Sequence, residues 1–96
     1  MLTLQLIDAQ DVTKQIRVMR FQDVSGNNLP AYSAGAHVEF ELSGIGTRAY
    51  SLIDWKSVDR HPKIYEIAVQ RKDDGDGGSK AMHQFNIGAT VKASEP

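Results

Sequence analysis

Short runs in which apolar and polar residues alternate follow one another along the whole chain, and turn-forming residues separate them. The clearest run is His37–Leu42, where Val38, Phe40 and Leu42 would share one face of a strand. The predicted strands cover residues 2–7, 16–21, 37–42, 47–53, 64–71 and 89–93. Strands this short, at this spacing, predict an all-β fold that closes as an antiparallel barrel.

Two segments carry further signals about local structure. The apolar residues between Ile64 and Val69 predict that the fifth strand is buried on both faces near its end. After a glycine-rich loop, Ser79 is predicted to be the N-cap of a short helix that runs to about Phe85. The chain is therefore expected to contain one helix beside its strands.

Composition limits the possible classes of function. The 96 residues fit one globular domain, and the net charge of −1 with scattered Lys and Arg argues against nucleic acid as the main partner. No apolar run approaches the ~18 residues that span a bilayer, and no signal-peptide pattern is present, so a cytoplasmic location without membrane contact is expected.

Metal chemistry is also limited by residue content. The chain has no cysteine, which excludes disulfides, thiol catalysis and an iron–sulfur cluster held by thiolates of these residues. His37, His61 and His83 are far apart in sequence and lack the spacing of a helical ligand pair. No metal site is predicted.

The stretch Arg48–Leu52 is the strongest candidate for a binding site. Arg48 and Tyr50 are two residues apart on a predicted strand, so their side chains share a face about 7 Å apart. That pair suits a ligand with a flat ring and an anion, since a guanidinium matches a phosphate and a phenol can stack on a ring. The alternative interpretation is a solvated arginine beside an ordinary barrel tyrosine.

A second candidate segment lies downstream, at the start of the predicted helix. Gly77, Gly78 and Ser79 could offer backbone N–H groups to an anion there. Their alternative role is a flexible hairpin loop in which glycine supplies positive φ. A ring-binding pair followed by an anion-binding turn predicts a nucleotide-like cofactor.

In this order, Arg-x-Tyr-Ser-Leu, a strand ending in Ala68-Val69 and then Gly-Gly-Ser, the chain resembles the flavin domain of ferredoxin-reductase-type oxidoreductases. It is most similar to the reductase components of phthalate dioxygenase and vanillate O-demethylase, which carry FMN rather than FAD. The resemblance covers about residues 4–91 and implies a six-stranded antiparallel Greek-key barrel with one short helix.

The resemblance also implies a role for each residue of the two motifs. Arg48 would bind the phosphate, Tyr50 would shield the isoalloxazine ring, and the Ser51 hydroxyl would lie near flavin N5, with Ala49 between them in the motif. The Ala68-Val69 backbone would edge the ring, and Gly77, Gly78 and Ser79 would hold the phosphate. Relatives commonly carry a basic residue where this chain has Asp76, which disfavours the anion.

In that family NADH reduces the flavin, and electrons then pass to a [2Fe–2S] centre and on to an oxygenase component. Residues 1–96 are thus expected to be the FMN-binding domain, with the NAD-binding and [2Fe–2S] domains absent from this sequence and the domain catalytically incomplete alone. The alternative from another class is a small β-barrel module that binds an oligonucleotide or a protein partner without redox chemistry. Such modules usually show a basic groove with several exposed aromatics.

Overall fold

The computed structural model describes residues 1–33, 35–53, 62–71 and 78–96. These residues form β1 (Leu2–Asp11), β2 (Ile16–Asp23), β3 (His37–Leu42), β4 (Gly46–Ser51), β5 (Tyr65–Gln70), α1 (Gly78–His83) and β6 (Thr90–Ala93). The strands lie in the order β4-β3-β6-β1-β2-β5, and every adjacent pair is antiparallel. The edge strands meet at an isolated bridge between Leu52 and Ile67, which nearly closes the sheet. The predicted six-stranded antiparallel barrel is confirmed.

The interior of the barrel is filled by large apolar side chains that alternate along the strands. The aromatic rings of Phe21 and Phe40 meet at its centre, with ring centroids 5.3 Å apart. The largest fully buried side chains are Tyr65, Phe21, Phe40, Leu4, Leu6, Met19, Ile67, Met82, Val38 and Val69. Burying each of these stabilises the fold by roughly 1.5–3 kcal/mol for a side chain of this class.

A β-bulge makes β1 longer than the sequence predicted. The register against β2 shifts between Leu6 and Asp8, so Ile7 is the extra residue. Before the bulge Leu6 faces the core, whereas after it Ala9, opposite Met19, is half-buried and Asp8 is exposed. Alternation predicted an end at Ile7 because the bulge reverses which positions face the core.

The predicted burial of β5 on both faces near its end is wrong. Tyr65, Glu66 and Ile67 are buried in succession at the start of the strand, whereas Ala68 near the end is exposed. Glu66 is covered because its carboxylate pairs with Arg20 on the neighbouring strand. The outer face of β5 is therefore closed at its beginning and open at Ala68.

Helix α1 begins two residues earlier than an N-cap at Ser79 would place it, and it ends two residues before Phe85. Because Gly78 is already helical, Ser79 lies within the first turn instead of preceding it as the N-cap. At the other end, the amides of Gln84 and Phe85 donate to carbonyls three residues before them, at 3.1 and 3.2 Å. Such bonds tighten the last turn and end the helix at His83.

Candidate functional site

Strand β4 presents Arg48 and Tyr50 on one face, as its period of two requires. Arg48 lies opposite Phe40 and Tyr50 opposite Val38, both of which point into the barrel. Arg48 and Tyr50 are half-buried, whereas the intervening Ala49 is exposed on the other face. Arg48 and Tyr50 therefore share the face of β4 that carries Phe40 and Val38 on the neighbouring strand.

The Arg48 side chain lies back over the first residues of β4. Its Nη1 donates a hydrogen bond to the Thr47 carbonyl at 2.7 Å. The same nitrogen would be 3.5 Å from a Cβ at Gly46, where φ is +113°. A separation of 3.5 Å is an ordinary van der Waals contact, so glycine is favoured at this position by the positive φ, which it adopts without strain.

The Tyr50 ring is anchored to the hydrophobic core through Phe40. Their ring centroids are 5.9 Å apart with an interplanar angle of 63°, an edge-to-face contact. Aromatic pairs prefer such geometry because the positive edge of one ring meets the negative face of the other. The contact fixes the orientation of Tyr50 at the rim of the barrel.

Ser51 and Ala68 lie at the seam where β4 and β5 meet. Next to the Leu52–Ile67 bridge, the Leu52 amide donates to Ala36 O at 2.9 Å, and the amide of the following residue donates to Glu66 O at 2.8 Å. Extending the antiparallel register of the bridge by one residue sets Ser51 across from Ala68. Both residues are exposed, and they form the outer side of the seam.

Helix α1 packs beside the end of β5. His83 Nε2 lies 2.8 Å from the Val69 carbonyl. Since a carbonyl only accepts, Nε2 carries the proton in this contact. Gly78 and Ser79 form the first turn of this helix, and Gly77 lies outside the described residues. The structure thus brings Ala68-Val69 and α1 together, with Val69 itself buried inside the barrel.

Similar proteins are found by sequence and by structure. The carnitine monooxygenase reductase subunit of Acinetobacter pittii is 32% identical over 88 residues, which are 91% of this chain and 28% of the relative. The vanillate O-demethylase oxidoreductase of a Pseudomonas species is 37% identical over 86 residues, 88% of this chain and 26% of the relative. Phthalate dioxygenase reductase superimposes with a TM-score of 0.88 at 29% identity, covering 99% of this chain and 29% of that one. No protein-family model matches the chain.

The chain belongs to the ferredoxin-reductase-type oxidoreductases. It spans between 26% and 29% of the length of these three relatives, so it corresponds to part of a reductase subunit. The relatives are reductase components of oxygenase and demethylase systems. The solved structure is described as a modular one for electron transfer from pyridine nucleotides to [2Fe–2S]. This family membership disfavours the interpretation as a binding module without redox chemistry.

One residue of this reductase barrel that sequence reasoning missed is Arg17. It lies on β2 opposite Val69, and its guanidinium donates to the carbonyls of Met82, His83 and Phe85 at the end of α1. The sequence did offer one signal. Arg17 and Met19 are two residues apart on the same strand, so their side chains share a face, and Met19 faces the core. A charged residue at an inward position requires buried partners.

A second feature missed from sequence is an ion network across the outer face of β1, β2 and β5. Arg20 donates from Nη1 to Asp8 at 3.0 Å and from Nε to Glu66 at 2.5 Å. The pKa of Arg20 is raised above its ordinary value. The main cause is the hydrogen bond to Glu66, followed by the negative charge of Glu66, and Asp8 makes a smaller contribution. The network covers the start of β5, where the Glu66 carbonyl also accepts a hydrogen bond from the amide of Ile53, which follows β4.

Two tyrosines connect the loop that precedes β3 to the seam between β4 and β5. The rings of Tyr32 and Tyr65 are 5.6 Å apart at 87°, and Tyr32 OH lies 3.5 Å from Ile53 O. Tyr65 OH donates to the Pro30 carbonyl. The pKa of Tyr65 is raised to about 12, mainly by burial of the phenol and further by the charges of Tyr32 and Glu95.

In the ranges given above, no three His, Asp or Glu side chains lie together in a way that could hold a metal ion. Within the same ranges, no helix has both the length and the apolar character needed to cross a membrane.

Proposed function

We propose that the chain is the FMN-binding barrel of an NADH-dependent oxidoreductase, one that passes electrons through the flavin and a [2Fe–2S] centre to an aromatic-ring oxygenase or demethylase. The observation that carries this proposal is that Arg48 and Tyr50 share one face of β4, next to the seam with β5. The similarity to reductase components of oxygenase and demethylase systems supports it.

The residues at the seam fit a flat ring. Ala68 is small and exposed, and the register sets it across from the exposed Ser51. A ring at this edge would meet no bulky side chain from Ala68 and would find a hydroxyl at Ser51. Tyr50 points to the opposite, inward face of β4, so a ring that contacts both Tyr50 and Ser51 would lie across the end of the strand, which is at Ser51. The orientation of the Tyr50 ring is fixed by its contact with Phe40.

The phosphate would be held by Arg48 and by backbone N–H groups at the start of α1. A guanidinium presents a planar fork of donors that matches two phosphate oxygens. Residues 77–79 would add N–H donors, of which Gly78 and Ser79 lie in the first turn of α1. FMN is proposed rather than FAD because the motif resembles that of the FMN-carrying reductases.

Each residue then has a defined part in the chemistry. FMN, when bound, supplies the ability to accept two electrons as a hydride and to return them one at a time. Arg48 anchors the phosphate, Tyr50 shields one face of the ring, and the Ser51 hydroxyl donates or accepts a hydrogen bond near N5. The backbone of Ala68-Val69 limits the ring edge, and the closed core below keeps water from that side.

The proposal is tested by titrating the 96-residue chain into FMN and following the flavin fluorescence. Saturable quenching by micromolar protein is expected, with riboflavin weaker because it lacks the phosphate. FAD should bind no better than FMN, since the adenylate half has no proposed partner on this barrel. An FMN signal that stays linear to high micromolar protein would contradict the proposal.

A further inference from the structure

Arg17 connects the inner face of the barrel to the end of α1. The residue is half-buried on β2, directly opposite Val69. Its Nη1 donates to Met82 O at 3.3 Å and to His83 O, and its Nη2 donates to Phe85 O at 2.7 Å. One side chain therefore binds three carbonyls of the segment that ends the helix.

Carbonyls at a helix end lack the partners that the next turn would supply. Met82 O also accepts from the Phe85 amide, so Arg17 is its second donor. A cation at that end is also favoured by the helix dipole, and the effect is confined to the last turn. The planar guanidinium presents several donors in a fixed arrangement, whereas a lysine ammonium is a single point charge on a flexible stem. Arginine is thus the residue type that this arrangement requires.

The same helix end is tied to β5 by a second contact. His83 Nε2 donates to Val69 O, and Val69 is the residue that faces Arg17 across the β2–β5 ladder. The end of α1 is thereby fixed against two strands at once. A helix of only six residues has little stability of its own, so these tertiary contacts decide where it stands.

We propose that Arg17 is a positioning residue for the cofactor site: it holds α1 against β5 from the C-terminal end of the helix. In that position the Gly78–Ser79 turn and the Ala68-Val69 edge can contact one FMN molecule together. This inference rests on the proposed function. Arg17 itself touches no part of the flavin in this account, and it acts through the helix.

The expected change in FMN affinity follows from the fraction of molecules in which α1 is docked. Without the Arg17 contacts, α1 leaves its docked position for much of the time, and the apparent affinity falls by the docked fraction. A docked population of about 10% would weaken FMN about tenfold, whereas riboflavin, which does not need the phosphate turn, should stay within about twofold.

The experiment compares Arg17→Met, Arg17→Lys and Arg20→Met with the unaltered chain. Arg20 is the matched control, because it is an arginine on the same strand whose partners are the carboxylates of Asp8 and Glu66 instead of α1. Dissociation constants for FMN and riboflavin are measured by fluorescence, and hydrogen exchange reports the protection of the α1 amides.

Arg17→Met should expose the α1 amides to exchange and weaken FMN selectively, and Arg17→Lys should lose less. Arg20→Met should lower the midpoint of unfolding yet change both ligands equally. If Arg17→Met does not fold, Arg17→Lys decides, with a smaller loss in the same direction.

Equal losses for FMN and riboflavin in the Arg17 variants, or no loss, would overturn the inference while the proposed function stands. Absence of FMN binding by the unaltered chain would overturn the proposed function and the cofactor role of Arg17 together, and the exchange data would then report only on the helix.

Discussion

The ring of Tyr50 meets the ring of Phe40 edge to face, with centroids 5.9 Å apart. Phe40 in turn packs against Phe21 in the centre of the barrel. The candidate ring-binding side chain is thus attached to the core by a short aromatic series. A ligand that stacks on Tyr50 has little side-chain freedom left to remove, which is the advantage of a preorganised site.

Replacing Tyr50 with alanine should weaken FMN and riboflavin alike, because both share the ring. Aromatic contacts contribute about 0.5–1.5 kcal/mol beyond area burial, so a loss approaching tenfold is expected. Tyr50→Phe keeps the ring and should stay within a few-fold of the unaltered chain. If phenylalanine is as harmful as alanine, the hydroxyl and not stacking is the important group.

Replacing Arg48 with alanine should weaken FMN far more than riboflavin. A hydrogen bond to a charged group contributes roughly 1.5–3 kcal/mol, which corresponds to about 10- to 150-fold in affinity. Arg48→Lys keeps the charge without the planar fork. Its affinity for FMN should lie between that of the unaltered chain and that of Arg48→Ala. Parallel losses for FMN and riboflavin would assign Arg48 to the ring or to folding instead of the phosphate.

Much of the fold could be predicted because alternation reports directly on which side chains face a core. The run His37–Leu42 is a strand with the predicted bounds, and Arg48 and Tyr50 share a face as their spacing requires. What alternation cannot report is a change of register. The bulge at Ile7 reversed the pattern and hid the second half of β1.

The misjudged positions in β5 and α1 depend on partners distant in sequence. Glu66 is buried because of Arg20, 46 residues earlier. The end of α1 depends on Arg17, which reaches Met82 across 65 residues. Local propensity carries no information on such pairs, since tertiary contacts override it. The roles of Arg48, Tyr50, Ser51 and the helix start remain predictions.

The Arg20 network predicts an order of stability among variants. Arg20→Met leaves the largely buried Glu66 carboxylate without its short contact and should lower the midpoint of urea unfolding clearly. Asp8→Asn removes only the exposed ion pair between Asp8 and Arg20, where solvent screens the charge. It should change the midpoint of unfolding little. Equal effects of the two substitutions would show that Glu66 does not depend on Arg20.

Tyr65 predicts a loss of stability at high pH. Its pKa is raised to about 12, above the ordinary value of about 10, so the protonated phenol favours the folded state. This contribution is complete below about pH 10 and is lost as the pH rises towards 12. The free energy of unfolding should fall through that interval, and less steeply in Tyr65→Phe. Identical slopes would exclude Tyr65 as the group responsible.

The most direct test of the cofactor site is to map FMN onto the chain by amide NMR. With saturating FMN, the largest shift changes should lie at residues 48–51 of β4, at Leu52, at residues 67–69 of β5 and at residues 78–79 of α1. Riboflavin should reproduce the changes in β4 and β5 but not those in α1. Changes concentrated on β1 and β6, which lie in the middle of the sheet away from the β4–β5 seam, would contradict this account.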